Sequence, residues 1–198
     1  MGRETGLREL KKARTKTAIQ RHALRLFREQ GFHATTVEQI AAAAEVAPST
    51  VFRYFESKED LAVLADYLSM RPRFTEVFTG QPAELNPVQA LRRTMRTVFA
   101  EMEPEERAAR YERDLLWLVV PELWGANLGT LTGARRLLNE LVAQRVGRGP
   151  DDAAVRALTD ALVGVTLGVL MDCARTPGAD PAAAVDAALA QIETGLPF

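Results

Sequence analysis

The chain has 198 residues, of which 47% are hydrophobic and 26% are charged. This composition is typical of a globular protein and excludes a disordered or fibrous chain, while the length leaves room for a small and a larger domain. The formal net charge is −1, but the charges are unevenly distributed. Residues 1–60 carry 11 basic and 8 acidic side chains, whereas residues 61–198 carry 14 basic and 18 acidic side chains. The first part is therefore the one suited to an acidic partner.

The first predicted element is a long helix from about Leu10 to Gln30, with Gly31 as its stop. Its apolar stripe consists of Ile19, Ala23, Leu26 and Phe27. Basic side chains dominate the start of the chain, at Arg3, Arg8, Lys11, Lys12, Arg14 and Lys16. A basic arm of this kind contacts phosphates, or it is a solvated terminus, and the pattern leaves both interpretations open.

Two short helices are predicted between Thr36 and Phe55. Thr36 and Gln39 have the spacing of a capping box, in which each residue caps the backbone of the other. The helical pattern breaks at residues 45–47, and Pro48 is favoured at a first helical position, so the second helix begins there. Val51 and Phe55 share its inward face. A helix, a tight turn and a second helix form a helix-turn-helix.

The remaining elements are also predicted to be helical. Ser57 and Asp60 form a second capping box, which begins a helix that reaches Phe78 and that Pro72 ends or kinks. Further helices are expected at about 88–102, 104–120, 121–146, 151–175 and 181–194. Nine helices and no convincing strand predict an all-α protein.

The segment from about Ile19 to Leu61 resembles the DNA-binding module of the TetR (tetracycline repressor) family of bacterial regulators. The matching residues are Ala23-Leu24, Leu26-Phe27, Gly31-Phe32, Ala34-Thr35-Thr36-Val37, Ile40-Ala41, Ala44, Val46, Thr50, Phe52, Tyr54-Phe55 and Ser57-Lys58-Glu59-Asp60-Leu61. The resemblance implies a DNA-binding domain over residues 1–60, with the basic arm. It also implies a helical bundle over residues 61–198 that binds a ligand and dimerises.

The function implied by this resemblance is ligand-responsive transcription regulation in the cytoplasm. The expected partners are a palindromic DNA operator, a second copy of the chain and a small hydrophobic or acyl-CoA-like effector that releases a repressor from the operator. An activator or architectural DNA-binding factor without a small-molecule ligand is the alternative.

The predicted DNA-binding residues are Thr36, Pro48, Ser49, Thr50, Phe52, Arg53, Tyr54 and Lys58. The second helix of a helix-turn-helix enters the major groove, where the fork of Arg53 matches O6 and N7 of guanine. The resemblance assigns Thr36, Tyr54 and Lys58 to phosphates, contacts that set register rather than sequence.

Two positions depart from the family's usual pattern. Glu45 lies in the turn where the family often has glycine, so either the turn geometry differs or the residue has a strained φ that costs about 1 kcal/mol. Phe52 stands where the family often has tyrosine. Without the hydroxyl it contacts a thymine methyl group or it packs within the protein, and both interpretations remain open.

Aromatic and methionine side chains in the central helices suggest a lining for a ligand pocket, at Phe74, Phe78, Met95, Phe99, Tyr111, Trp117 and Trp124. Residues with this spacing are also typical of a plain helical core. Arg92, Arg93 and Arg96 suit recognition of an anionic group, although an exposed helical face explains them equally well.

The last two helices carry rows of small residues, which allow helices to approach closely. The resemblance assigns both helices to a dimer interface, and a tight intrachain pair is the alternative. The apolar residues expected in the interface are Leu158, Leu162, Val165, Val169, Val185, Leu189 and Ile192.

Other functional classes lack a sequence signal. No Gly-rich phosphate loop, nucleophile elbow or metal-binding spacing occurs, so neither an enzyme, a cofactor nor a metal is expected, and His22 and His33 are assigned structural roles. Cys173 is the single cysteine, which excludes an internal disulfide and suits a reducing cytoplasm. The longest apolar run, Ala161–Cys173, is too short to span a bilayer, and no membrane partner is expected.

Overall fold

The computed structural model describes residues 2–62, 65–176 and 178–195; within the helices it leaves out the side chains of residues 2–11, 13, 65–69, 104–106, 108–109 and 112–114. The described ranges contain nine α-helices, one 3-10 helix and no strand, so the predicted all-α class is confirmed. The α-helices are α1 (Gly2–Gln30), α2 (Val37–Ala43), α3 (Pro48–Tyr54), α4 (Ala65–Thr79), α5 (Pro87–Ala100), α6 (Pro104–Val119), α7 (Glu122–Val146), α8 (Ala153–Arg175) and α9 (Pro181–Thr194); the 3-10 helix is Glu59–Ala62.

The chain forms two compact units. The first unit comprises Met1–Val63 and Val120–Ala126, and the second comprises Leu64–Val119 and Asn127–Phe198. In the first unit α1 contacts α2 and the 3-10 helix, and α2 contacts α3. The stripe of α1 provides Ile19, Ala23 and Phe27 to its core, as predicted, and these side chains are almost fully buried.

The second unit is a helical bundle built around one main apolar cluster. In this bundle α8 packs on α9 and α6, and α5 packs on α4 and α9. The buried residues of the cluster are Phe78, Val88, Ala90, Leu91, Leu137, Leu141, Leu162, Val185 and Leu189. Because these residues come from α4, α5, α7, α8 and α9, the cluster fixes five helices relative to one another.

Side-chain caps define several helix starts. The expected box at Thr36 and Gln39 is confirmed, and Asp60 accepts from the backbone of Ser57 while Ser57 caps Asp60 in return. Asn86 forms a further capping box with a glutamine three residues later, which was not predicted. Asp152 and Asp180 cap α8 and α9 by accepting backbone N–H bonds.

Three boundaries differ from the sequence prediction. The first helix begins at Gly2 rather than near Leu10. The capping box at Ser57 begins a 3-10 helix, whereas α4 is assigned from Ala65. Pro72 lies inside α4 and does not end it. Packing explains the last difference, because Phe78, beyond the proline, is 1% exposed and holds the final turns of α4 in the core.

By length and composition alone, α8 is the one helix among the described residues that could cross a membrane. Core and interface helices of soluble proteins meet the same criterion. Only 17% of the most apolar window of α8 is buried within one chain, so much of its small and apolar surface faces outward.

Candidate nucleic-acid interface and ligand cavity

The turn before α2 is held by a network of side-chain hydrogen bonds. The backbone N–H of Gln39 donates to Oγ1 of Thr36 at 3.2 Å, and that of Thr36 donates to Oε1 of Gln39 at 2.9 Å. Nε2 of Gln30 donates to Oε1 of Gln39 and to Oγ1 of the buried Thr35. The end of α1 therefore orients the start of α2, where Thr36 is exposed.

The turn between α2 and α3 adopts the backbone conformation that usually favours glycine. Glu45 has φ of 55°, the only positive φ at a non-glycine residue in the described ranges. Backbone bonds from Glu45 to Ala42 and from Val46 to Ala41 close the turn. Of the two alternatives left open by the sequence, the structure shows the left-handed residue, whose conformation costs about 1–2 kcal/mol.

Helix α3 has one buried and one exposed face. Val51 and Phe55 are buried beneath it, whereas Pro48, Ser49 and Arg53 are exposed and Thr50 and Tyr54 are half-buried. Phe52 is 54% exposed, which argues against a packing role for it within the chain. The guanidinium of Arg53 lies 5.2 Å from the centre of the Tyr54 ring. The predicted readout residues thus share the accessible side of a helix whose other side is anchored.

Lys58 has contacts within the first unit that sequence reasoning missed. Its Nζ donates to the carbonyl oxygens of Phe32 at 2.9 Å and Thr35 at 3.2 Å, and lies 4.2 Å from the centre of the Phe32 ring. The ammonium therefore joins the segment before the 3-10 helix to the turn between α1 and α2. An ammonium has three N–H donors, and these two bonds use two of them.

The second unit contains a mainly apolar cavity of about 270 Å³, which we call the apolar cavity. Four of the predicted pocket residues line it, namely Phe74, Met95, Phe99 and Trp117. Leu131, Ala134, Thr166, Leu167 and Leu170 of α7 and α8 also line it and were not predicted. The aliphatic residues among them resemble ordinary core residues in sequence, so only their placement identifies them.

The other three predicted pocket residues lie elsewhere. Phe78 is almost fully buried in the main apolar cluster. Trp124 belongs to the first unit, within Val120–Ala126. Tyr111 lines a separate cleft of about 300 Å³ between α5, α6 and the start of α9, which we call the arginine cleft. Its ring lies 5.7 Å from that of Phe99.

Arg92, one of the residues considered for anion recognition, is paired within the chain. Its guanidinium donates two hydrogen bonds to Asp186, both at 3.0 Å, and one to Glu193 at 2.6 Å. The bonds to Asp186 raise the pKa of Arg92, and Arg92 in turn lowers the pKa of Asp186. This half-buried cluster joins α5 to α9 and leaves Arg92 occupied.

The residues predicted for the dimer interface divide by burial. Leu162, Val185 and Leu189 are almost fully buried in the main cluster of a single chain, so they have little apolar area left to give a partner. Leu158, Val169 and Ile192 are partly buried against the same cluster, and Val165 is also partly buried. The small residues of α8 are exposed instead, at Ala157, Ala161, Gly164 and Gly168.

The two histidines have different surroundings. Burial is the main cause that lowers the pKa of His22 on α1. The side chain of His33 is 74% exposed, and its Nε2 lies 3.4 Å from Oε1 of Glu122. Among the side chains that the structure describes, no group of three or more His, Cys, Asp or Glu residues could hold a metal ion.

Comparison with known proteins identifies both parts of the chain. Residues 19–64 match the family described as bacterial regulatory proteins, tetR family, and residues 85–197 match the family described as MftR C-terminal domain. The HTH-type transcriptional regulator TcmR of Streptomyces glaucescens is 43% identical over 101 residues, which are 51% of this chain and only 44% of TcmR. A protein named as the mycofactocin biosynthesis transcriptional regulator MftR, from Mycobacterium tuberculosis, is 25% identical over 174 residues, covering 88% of this chain and 87% of MftR.

Solved structures share the fold. NalD of Pseudomonas aeruginosa, described as the secondary repressor of the MexAB-OprM multidrug efflux pump, aligns with a TM-score of 0.67 at 23% identity, covering 93% of this chain and 96% of NalD. FadR of Bacillus subtilis in complex with stearoyl-CoA aligns with a TM-score of 0.63 at 19% identity, covering 90% of this chain and 98% of FadR. With a helix-turn-helix that matches the family's DNA-binding part and a C-terminal match that spans more than half of the sequence, this chain belongs to the TetR family of bacterial transcriptional regulators.

Proposed function

We propose that this regulator is a repressor that binds a palindromic operator as a homodimer and leaves it when a small hydrophobic or acyl-CoA-like effector binds. The observation that carries the proposal is the exposed side of α3, which is held on a buried base and displays Ser49, Phe52 and Arg53. We place the DNA-binding domain in residues 1–60 and the effector and dimer domain in residues 61–198, in the cytoplasm.

The DNA contacts follow from the chemistry of this surface. Arg53 is suited to bidentate bonding with guanine, and the exposed ring of Phe52 to apolar contact with a thymine methyl group. Oγ1 of Thr36 accepts the capping bond, so its own hydrogen can be donated to a phosphate. Exposed Lys12, Arg14 and Lys16 extend the basic surface along α1. The side chains of Arg3, Arg8 and Lys11, also predicted for the arm, lie outside the described residues.

Dimerisation is supported by the exposed apolar surface of α8. Exposed small residues allow a second helix to approach closely, and burial of an apolar helix face drives association. A Cβ atom built at Gly164 has no neighbour within 4 Å in the chain. Gly164→Arg is therefore expected to keep the fold but to give monomers in light scattering after size exclusion. Gly133→Arg, at a similarly open site on α7, is the matched control.

The apolar cavity supports a hydrophobic effector. Its volume of about 270 Å³ lies just below the range of about 300–1,000 Å³ for small-molecule pockets. Ala134 lines it, so Ala134→Trp would fill the space that the effector needs. We propose acyl-CoA as the effector class by analogy with FadR of Bacillus subtilis, whose structure contains stearoyl-CoA.

Fluorescence anisotropy on the DNA that flanks the gene, with a scrambled duplex as the reference, tests operator recognition at several salt concentrations. We expect saturable preference for the native fragment with two chains per pair of half-sites. Equal, strongly salt-dependent binding to both duplexes would contradict specific recognition of that fragment.

The same assay tests release. Stearoyl-CoA is expected to lower anisotropy where free coenzyme A does not, and Ala134→Trp to bind DNA normally without responding. A ligand changes DNA affinity only if it binds the free and DNA-bound conformations differently. Unchanged anisotropy with stearoyl-CoA would remove the acyl-CoA class, and a response that survives Ala134→Trp would place the site outside the apolar cavity.

A further inference from the structure

The arginine cleft has an apolar floor and a charged rim. Met95, Phe99 and Leu189 are among the residues of its floor, while Arg96 and Arg107 approach it from α5 and α6. Asp180 and Asp186 belong to its α9 side. Its volume of about 300 Å³ is similar to that of the apolar cavity. A site of this kind suits a polar group attached to an apolar body.

The carboxylates of the cleft already accept hydrogen bonds within the chain. Asp180 accepts the backbone N–H bonds of Ala182 at 2.9 Å and Ala183 at 3.2 Å. Asp186 accepts both bonds from Arg92. The helix N-terminus therefore offsets the charge of Asp180, while Asp186 shares the guanidinium of Arg92 with Glu193.

The two other arginines keep donors for a ligand. Nε of Arg96 lies 3.9 Å from Asp186, too far for a hydrogen bond, and its side chain is 63% exposed. Nη1 of Arg107 donates to the carbonyl oxygen of Phe99 at 3.3 Å. Each guanidinium has five N–H donors, so these contacts leave both side chains able to bind an anion.

The arginine cleft and the apolar cavity are neighbours. Met95 and Phe99 line both of them, so these two side chains are the wall that the spaces share. Met95 is half-buried and methionine is flexible, which makes this wall adaptable. Displacement of the flexible Met95 side chain would join the two spaces, so that one molecule could occupy both.

We propose that the effector is an amphipathic anion whose apolar chain occupies the apolar cavity and whose carboxylate or phosphate binds Arg96 and Arg107 in the arginine cleft. This inference rests on the proposed effector function and specifies the chemistry of its ligand. The two arginines select for the anionic end, and the mainly apolar lining of the cavity selects for a hydrocarbon chain.

Isothermal titration calorimetry with octanoate, octyl phosphate and neutral 1-octanol tests the inference on the full chain. We expect at least one of the two anions to bind about 10-fold or more tighter than octanol. This difference corresponds to one charge-assisted hydrogen bond that the anion makes and the neutral alcohol lacks. Arg96→Gln and Arg107→Gln are each expected to reduce the affinity for that anion about 10-fold without changing octanol binding. Arg93→Gln is the control, because Arg93 is exposed on the same helix and lines neither space.

The outcomes separate the inference from the proposed function. Tighter binding of either anion, lost in both arginine variants and kept in the control, supports the inference, and the order of the two anions identifies the head group. Equal binding of octanol and the anions, unaffected by the variants, overturns the inference but keeps an apolar effector site. Binding of none of the three overturns the inference and the effector site in the apolar cavity, whereas operator binding is tested separately by anisotropy.

Discussion

Removal of the ammonium of Lys58 is expected to destabilise the first unit. In Lys58→Met the stem keeps its length, while the bonds to the carbonyls of Phe32 and Thr35 and the contact with the Phe32 ring are lost. Hydrogen bonds to charged groups contribute about 1.5–3 kcal/mol each, and an exposed cation–π contact about 0.5–1 kcal/mol. Lys58 is half-buried, so bonds to water replace part of the lost interaction energy, and the side chain at position 58 regains conformational entropy. We therefore expect a net loss of about 2 kcal/mol.

Thermal unfolding followed by circular dichroism measures this loss. For a chain of this size, about 2 kcal/mol lowers Tm by about 4–8 °C. Lys12→Met, a change of the same chemistry at an exposed position on α1, is the control and is expected to leave Tm unchanged. If Lys58 acted only on phosphate, Tm would stay constant and the salt slope of DNA binding would fall by about 0.9. That result would refute a structural role for Lys58.

Three further changes test other parts of the molecule. Arg53→Ala is expected to reduce the preference for the operator over random DNA by about 1–3 kcal/mol in anisotropy titrations, and equal losses on both duplexes would reassign Arg53 to phosphate. Glu45→Asn is expected to raise the stability by about 0.5–1 kcal/mol, because asparagine adopts a positive φ more readily; an unchanged or lower Tm would show that the turn is not strained. Arg92 lowers the pKa of Asp186 below the ordinary 3.8, so this carboxylate stabilises the fold above that pH and loses its effect as the pH falls through the lowered pKa. Tm of the unmodified protein is therefore expected to fall on acidification from neutral pH to about pH 3. Asp186→Asn is expected to have a lower Tm at neutral pH and a smaller fall on acidification. Parallel curves of Tm against pH for the unmodified protein and Asp186→Asn would contradict this.

Local patterns were sufficient for much of the DNA-binding part. The capping box at Thr36 and Gln39, the proline at the start of α3 and the buried stripe of α1 depend on residues within one or two helical turns. The positive φ of Glu45 was one of two alternatives that the sequence left open, because a glycine position in the family's pattern allows either a left-handed residue or a different turn. DNA contact by α3 stays a prediction, although the structure places its polar side chains on the accessible face.

The second unit shows where sequence periodicity stops being informative. An apolar stripe predicts that a helix is buried but not which neighbour covers it, so Phe78 and Phe74 look alike in sequence. The fold places Phe78 in the main cluster and Phe74 beside the apolar cavity. Trp124 is likewise an aromatic residue of α7, yet it belongs to the first unit.

The sequence by itself determined the all-α class, the helix-turn-helix and its caps, because these depend on interactions between residues close together in the chain. Only the tertiary structure decided that Lys58 binds the carbonyls of Phe32 and Thr35, more than 20 residues away in sequence. It also decided that Arg92 pairs with Asp186, whereas Arg96 and Arg107 keep donors at the arginine cleft. The physical reason is that long-range partners are chosen by the packing of whole helices, and local periodicity carries no information about which helices meet.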